Sequence, residues 1–448
     1  MKTLVLLVGT LALQQALGAD TLVLDLAAAQ ARAADDNLSA QLSLSQVDEA
    51  DALILSSKSV LLPQVAITET ALRTNDPVTA FGLRLRQERF GQADFALPAL
   101  NRPAALTGFQ TSLTLQQPLF AGGAHLAAWR QAQAGGRQTR LDRAEHLAAL
   151  RWQVAQAYWG LVLARQSLDA LRLSLDAARA RVRAAEARYA QQTSPLAELL
   201  ATQARVAELA GDEAAAAERA ENANETLTLL LNLDIQTQIL PADTLSAAGA
   251  ELPPHPYEAT ALEARPALQA ARVQVEAARQ GTLLARAGLL PRVDAFARLD
   301  LDADTPLDRQ GESWTLGGVL TWEVFSGLRT TAALRQARAR HQQAQTRLDL
   351  AGQEIRRQVR QALRQVETAR HRLEAAAQAR QYAAERLRLA DQQYRQGLVA
   401  VAELLDAQDQ DTQAQLRRLE ALGQLRTGLA YLEYAAHLQP NRQPGSTP

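Results

Sequence analysis

The sequence predicts a mainly α-helical protein with a small transmembrane β part, built as an internal duplication. Three observations predict it. Good helix formers (Ala, Gln, Leu, Arg and Glu) dominate the 448 residues, while aromatics make up only 4%, too few for a large conventional core. Segments recur at a fixed offset. Short runs at matching places in the two halves alternate apolar and polar side chains.

The first element is a targeting segment. Lys2 supplies the positive start, Leu4 to Leu13 the short apolar stretch, and Ala16-Leu17-Gly18 a small-x-small cleavage site before Ala19. Residues 1–18 therefore read as a secretory signal peptide, with a mature chain outside the cytoplasm. No other stretch reaches the roughly 18 apolar residues of a spanning helix. Any passage through a membrane falls to strands.

The duplication is direct. Phe120-Ala121-Gly122-Gly123, followed by Ala127-Ala128-Trp129-Arg130-Gln131-Ala132, returns 205 positions later as Phe325-Ser326-Gly327-Leu328 and Ala332-Ala333-Leu334-Arg335-Gln336-Ala337. Tyr189 and Tyr394 share that offset, as do Ala197-Glu198-Leu199-Leu200 and Ala402-Glu403-Leu404-Leu405. Leu61-Leu62-Pro63-Gln64-Val65 and Leu289-Leu290-Pro291-Arg292-Val293 match at a different offset, which an insertion between Arg73 and Thr107 accounts for. Repeats of this kind fix the architecture before any single element does. The organisation expected is a first repeat over 19–232, a linker over 233–258, a second repeat over 259–437 and a disordered tail over 438–448.

Helices are expected near 24–60, 123–192 and 195–232, and again near 260–288, 328–395 and 399–437. The longest, of about 70 residues, would reach about 100 Å at 1.5 Å per residue. The turns between them are sharp. Ser194 can cap the following helix, Pro195 suits its first turn, and Gly397 can take the left-handed conformation that ends a helix. Both turns reverse the chain into antiparallel hairpins.

The strands follow. In 109–119, Phe109, Leu113, Leu115 and Leu119 oppose Gln110, Ser112, Thr114 and Gln116. In 293–302, Val293, Ala295, Ala297, Leu299 and Leu301 oppose Asp294, Arg298, Asp300 and Asp302. In 314–324, Trp314, Leu316, Leu320, Trp322 and Val324 oppose Ser313, Thr315 and Thr321. The run 64–73 is weaker, because Glu69 shares the face of Val65 and Ile67. Alternation alone fits a small soluble sheet with one solvated face. Ten-residue strands with one apolar face also suit a membrane barrel with a wet interior, and Trp314, Trp322 and Phe120 suit its aromatic girdle. Four strands cannot close a pore, and open edges are not tolerated in lipid. Several copies would have to pool strands, and three give twelve, an even count. In the insertion, the alternation of Phe81, Leu83 and Leu85 reads as an extension of the first strand.

With these features in this order, the chain resembles the TolC family of outer-membrane factors from about Leu24 to Ala436. The carriers are Leu62-Pro63-Gln64-Val65, Gln117-Pro118-Leu119-Phe120-Ala121-Gly122-Gly123, Arg265-Pro266-Ala267-Leu268, Leu290-Pro291-Arg292-Val293, and Tyr394-Arg395-Gln396-Gly397 with Glu403-Leu404-Leu405-Asp406-Ala407-Gln408. The resemblance implies a homotrimer in the outer membrane. Long helical hairpins would form a trimeric α-barrel tunnel in the periplasm, below a shared 12-stranded β-barrel in lipid. It implies two partners: a periplasmic adaptor (membrane fusion protein) and an inner-membrane pump of the RND, ABC or similar type. It makes 233–258, with Pro241, Pro253, Pro254 and Pro256, part of an equatorial belt. Carboxylates near the second turn, matched by Glu403 and Asp406, would ring the periplasmic entrance. Glu198 and Tyr394 match two positions of the links that restrain the closed state, while Val399 stands where the basic partner is expected. The turns, at Gln192-Thr193 and Gly397-Leu398, would dock the adaptor.

Acids in the first turn of a helix also complement its dipole and face solvent, and glutamine, threonine and glycine are simply good turn residues. The charge balance of 47 basic against 48 acidic residues argues against a nucleic-acid partner. The absence of cysteine excludes disulfides, thiolate metal sites and cysteine nucleophiles. The six histidines show no ligand spacing, no nucleophile or phosphate-loop motif is present, and Gly122-Gly123 is better explained by a strand-to-helix turn. No enzyme activity, cofactor or metal is expected. The alternatives are a conduit for type I protein secretion and, in another class, a soluble periplasmic coiled-coil scaffold.

Overall fold

The computed structural model describes residues 21–248 and 255–438. The expected signal peptide, Pro253 and Pro254, and all of the tail beyond 438 lie outside the described residues. In chain order the elements are β1 (Thr21–Leu24), α1 (Leu26–Asp36), α2 (Leu38–Ser59), β2 (Gln64–Thr74), α3 (Pro77–Arg86), a 3-10 turn (Gln92–Phe95), α4 (Leu97–Asn101), β3 (Leu106–Phe120), α5 (Ala124–Ala190) and α6 (Leu196–Leu230). After β4 (Gln238–Pro241) come α7 (Tyr257–Ala264), α8 (Pro266–Ala287), β5 (Arg292–Ala303), β6 (Gly311–Thr321), α9 (Arg329–Arg395) and α10 (Val401–Ala436). Helices α5 and α9 each hold 67 residues, or about 100 Å at 1.5 Å per residue.

Two compact units share these elements, and each draws on both repeats. One contains Met1–Ser45, Leu141–Leu268 and Ala351–Pro448. Its core lies where Leu150, Val154, Tyr158, Leu161 and Val162, on one face of α5, meet Leu227, Leu231, Ile239 and Leu422. Ala29 and Ala33 are fully buried there, and their small side chains let α1 approach closely. The Tyr158 hydroxyl donates to Asp243 Oδ2 at 2.7 Å, and Asp243 Oδ2 accepts from the Leu26 amide at 3.1 Å. This ties the entry to α1 onto the segment after β4, while β1 and β4 pair in parallel.

The other unit contains Gln46–Arg140 and Gln269–Leu350. It carries an antiparallel sheet in the order β2-β3-β5-β6. The expected alternation holds across it. One face carries Val65, Ile67, Leu113, Leu115, Leu299, Trp314, Leu316 and Leu320, and most of these side chains are exposed. The other is polar and knitted: Ser112 Oγ donates to Asp300 Oδ1 at 2.6 Å, and Arg298 donates to Asp300 Oδ1 at 2.7 Å and Ser112 Oγ at 3.0 Å. Pro118 lies in the central strand β3, and the register slips beside it, between Pro118 and Phe120, as a missing amide requires.

The backbone repeats more closely than the side chains do. Eight residues with left-handed φ form four pairs 205 positions apart: Gly122 and Gly327, Gly123 and Leu328, Gln192 and Gly397, Asn232 and His437. Upstream of the insertion the offset is 228. Asn37 and Arg265 obey it, with φ/ψ of −65°/130° and −66°/123°. Both interrupt helices expected from the sequence to be continuous, over 24–60 and 260–288. Both are buried, and both donate to equivalent carbonyls, Asn37 to Leu230 O at 2.8 Å and Arg265 to Ala435 O at 3.4 Å. The difference between the offsets 228 and 205 leaves the first repeat 23 residues longer, and the excess lies between β2 and β3.

The two breaks differ in chemistry. Asn37 is neutral and satisfies itself locally, its Oδ1 accepting from the Ser39 amide at 2.8 Å. Arg265 brings a buried charge, and Glu145 Oε1 accepts from its Nε at 3.2 Å and Nη2 at 3.0 Å. Gln358 Oε1 takes Nη1 at 2.6 Å, and the guanidinium lies over the Tyr434 ring at 4.7 Å. Glu145 also accepts from Tyr434 Oη at 2.9 Å and the Ala267 amide at 3.2 Å.

Besides the two helix breaks, three sequence expectations differ from the structure. The segment with Phe81, Leu83 and Leu85 is helix α3, not an extension of β2. Asp76 Oδ2 accepts from the Thr79 amide at 2.8 Å as its N-cap, Pro77 opens it, and Ala80 and Leu83 are its buried face. Strand β6 spans 311–321 and not 314–324, because Thr321 pairs with Arg292, the first residue of β5, and no partner strand remains beyond it. Ser194 is not the N-cap of α6; Pro195 holds that position without a side-chain bond, and the Ser194 hydroxyl donates to Glu198 Oε2 at 2.7 Å.

Removing one partner of a buried ion pair leaves the other uncompensated. Arg265→Met should therefore cost about 3 kcal/mol, and Asn37→Ala only about 1–2 kcal/mol for a lost buried hydrogen bond. Denaturant titration of the detergent-extracted protein measures both, and equal losses would count against the charged break as the stronger anchor.

Candidate functional site at the hairpin turns

The two turns that join α5 to α6 and α9 to α10 are built alike. In the first, the Gln192 amide donates to Tyr189 O at 2.9 Å and the Thr193 amide to Arg188 O at 2.9 Å. In the second, the Gly397 amide donates to Tyr394 O at 3.0 Å and the Leu398 amide to Gln393 O at 2.9 Å. This is the Schellman pattern, in which the residue after the helix turns left-handed. Gly397 does so freely at φ 74°; Gln192 does so at φ 59° with a side chain to accommodate. Gln192, Thr193, Gly397 and Leu398 are all exposed at these ends.

Behind the turns a compact polar knot joins the two hairpins. The Tyr394 hydroxyl donates to Glu198 Oε1, and Arg188 Nη2 lies 3.4 Å from the same oxygen. The Arg188 guanidinium also stands 5.0 Å over the Tyr394 ring. The structure thus brings Glu198 and Tyr394 together, and Arg188 supplies a basic partner that Val399 cannot. Partial burial pushes the Glu198 carboxyl up, but the bonds from Tyr394 and Ser194 and the Arg188 charge outweigh it and hold the group below its ordinary value. Burial and the bond to Glu198 raise the Tyr394 hydroxyl. Behind the knot, Arg181 is held below its usual value by burial, and its Nη1 has no hydrogen-bond partner among the described residues.

Along α10 the acids differ in their company. Asp406 Oδ2 accepts from Arg386 Nη2 at 2.8 Å and from Gln410 Nε2 at 3.2 Å. Asp409 pairs with Arg205, and Asp411 with Arg380. Glu403 is exposed and has no ion pair among the described residues. Of the two carboxylates expected at the entrance, Glu403 keeps an uncompensated charge and Asp406 does not.

The arginines carry no motif of their own, yet the sequence holds a signal for them. In an antiparallel hairpin, residues equidistant from the turn face each other. Arg188 and Glu198 each lie five residues from Thr193, and Arg386 and Asp406 each lie ten from Gln396. Among the described residues no acid and histidine group has the make-up of a metal site, and no helix is long and apolar enough to cross a membrane.

The sequence profile of outer membrane efflux proteins (OEP) matches residues 6–233 and 259–436, one stretch in each half. The chain belongs to the outer membrane efflux protein family. Solved structures share the fold. A membrane protein from Pseudomonas aeruginosa is 22% identical, with a TM-score of 0.79 over 92% of this chain and 93% of its own. The CmeC outer membrane channel of Campylobacter jejuni is 17% identical, with a TM-score of 0.79 over 92% and 85%. The MtrE outer membrane channel of Neisseria gonorrhoeae, solved in its open state, is 20% identical, with a TM-score of 0.76 over 92% and 88%. No curated protein matches the chain. As an outer membrane efflux protein, it is a transport component and not an enzyme.

The knot has a pH signature. A carboxylate held below its unfolded value stabilises fully above that value, about 4.3 for glutamate, and loses its contribution as pH falls through the folded one. Tyr394→Phe should lower the melting temperature of the extracted protein at pH 7. The gap to wild type should close as the solution is taken well below pH 4. A gap that persists in acid would mean that the Glu198 carboxylate is not the acceptor that matters.

Proposed function

We propose that three copies of this chain form a passive exit channel of the outer membrane, pooling twelve strands into one barrel and their hairpins into a periplasmic tunnel. The observation that carries this is the β2-β3-β5-β6 sheet with its exposed apolar face and two unpaired edges. Lipid suits the face but not the edges, because an unpaired backbone group in hydrocarbon costs several kcal/mol, on the order of 4–8 kcal/mol in the driest reference. Successive strands alternate in direction, so β6 of one copy would meet β2 of the next antiparallel. Trp314 near the loop end, and Phe120 and Trp322 near the helical end, fit two aromatic girdles. A soluble coiled-coil scaffold would have no use for this face.

In this reading the turns at Gln192-Thr193 and Gly397-Leu398 dock a periplasmic adaptor, and an inner-membrane pump supplies the energy. The Arg188–Glu198–Tyr394 knot restrains the entrance. Glu403 forms the charged ring: three unpaired carboxylates around one axis would focus a negative potential and favour cations. The Asp406 charge is offset by Arg386 and contributes less.

Mild cross-linking of an outer-membrane fraction should give a species of about three chains, because only pooled strands can close a barrel. A monomer or dimer recovered from the soluble periplasm would overturn the channel reading. In planar bilayers, Glu403→Ala should remove most of the cation preference, and Asp406→Ala should change it little. Equal effects from the two substitutions would contradict the uneven pairing of these acids.

A further inference from the structure

The insertion between β2 and β3 does not stand clear of the sheet. It folds back onto the polar face at the end remote from the helices. Glycines mark the contact. A Cβ on Gly108 would meet Leu83 Cδ2 of α3 at 2.6 Å, and one on Gly311 would collide with the Arg86 carbonyl. Gly108 shares the face of Gln110 and Ser112, and Gly311 pairs with Asp302 on that same face. Gln87, at the end of α3, is buried and donates to Ala303 O at 2.8 Å. Arg89 pairs with Asp304. Beyond its seat the insertion holds itself together: the Phe90 ring stands edge-on to Phe81 and Phe95 at 4.9 and 5.0 Å, and Arg84 pairs with Asp94.

We propose that residues 77–102 are a lid, and that three of them form a second constriction at the outer mouth of the channel. The inference rests on the shared barrel proposed above, whose lumen is lined by the polar face. Twelve strands spaced about 4.8 Å apart and tilted about 40° enclose a circle about 24 Å across, measured between backbones. Three helices about 10 Å wide need about 22 Å. Lids seated on the wall therefore fill the section. Val78 and Leu85, seven residues apart, lie on the side of α3 away from the sheet and are exposed. They would line the axis with apolar groups, and such constrictions gate by excluding water. The seat is built to be left. Asp302 is buried at this contact, and its Oδ1 has no hydrogen-bond partner among the described residues, so lifting the lid returns that oxygen to water.

The chain has no cysteine, so a single introduced thiol reports cleanly. Thr114→Cys places one on the polar wall below the lid. A polyethylene-glycol maleimide added outside intact cells should label it slowly. Labelling should be at least tenfold faster after deletion of 77–102, or after Leu83→Asp, which unseats the lid and keeps its length. Leu307→Cys, exposed in the β5–β6 loop, should label equally fast in all backgrounds. Unchanged Thr114→Cys rates in both variants, in cells whose protein still cross-links as trimers, would overturn the lid and leave the barrel standing. Absence of the trimer would remove the shared barrel and the lid with it.

Discussion

Two unpaired strand edges set the terms for the rest of this molecule. A four-stranded sheet with an apolar outer face is unstable in water because of its face, and unstable in lipid because of β2 and β6. Among the described residues nothing pairs these edges, and most of the apolar face stays exposed. In the proposed trimer, the alternating direction of the strands lets neighbouring copies solve both.

The duplication supplies a common backbone and leaves the chemistry free to diverge. Left-handed residues recur at one offset, whether glycine, glutamine, asparagine, leucine or histidine occupies them. The helix breaks go further, since Asn37 and Arg265 have nearly the same dihedral angles and equivalent carbonyl partners, Leu230 O and Ala435 O, yet differ by a full charge. Only the second break needed an acid, an aromatic ring and an amide gathered around it.

Much of this was legible in the sequence, for identifiable reasons. Period-two alternation located the four strands of the β2-β3-β5-β6 sheet, whose faces differ in polarity, but not the short pair β1 and β4. The 205-residue offset exposed the repeat, and Ser194-Pro195 and Gly397 marked the turns. Residues 77–86 look like a strand because Phe81, Leu83 and Leu85 alternate by chance along a helix; the Asp76-Pro77 start and the Ala80, Leu83, Gln87 spacing are the better signals. The break at Arg265 was announced by Pro266, which disfavours helix in the residue before it, whereas the break at Asn37 carried only a weak capping signal. Arg188 and Arg386 were hidden because their partners lie across a turn, where only the hairpin register identifies them.

The two turns have one backbone geometry and two surfaces. In the proposed trimer they would alternate as six ends, sixfold in the path of the chain and threefold in side chains: Gln192-Thr193, then Gly397-Leu398. A ring of identical partner subunits could grip all six only through the main chain that they share. Partners that read side chains would take alternate ends, and the number bound would then be three rather than six.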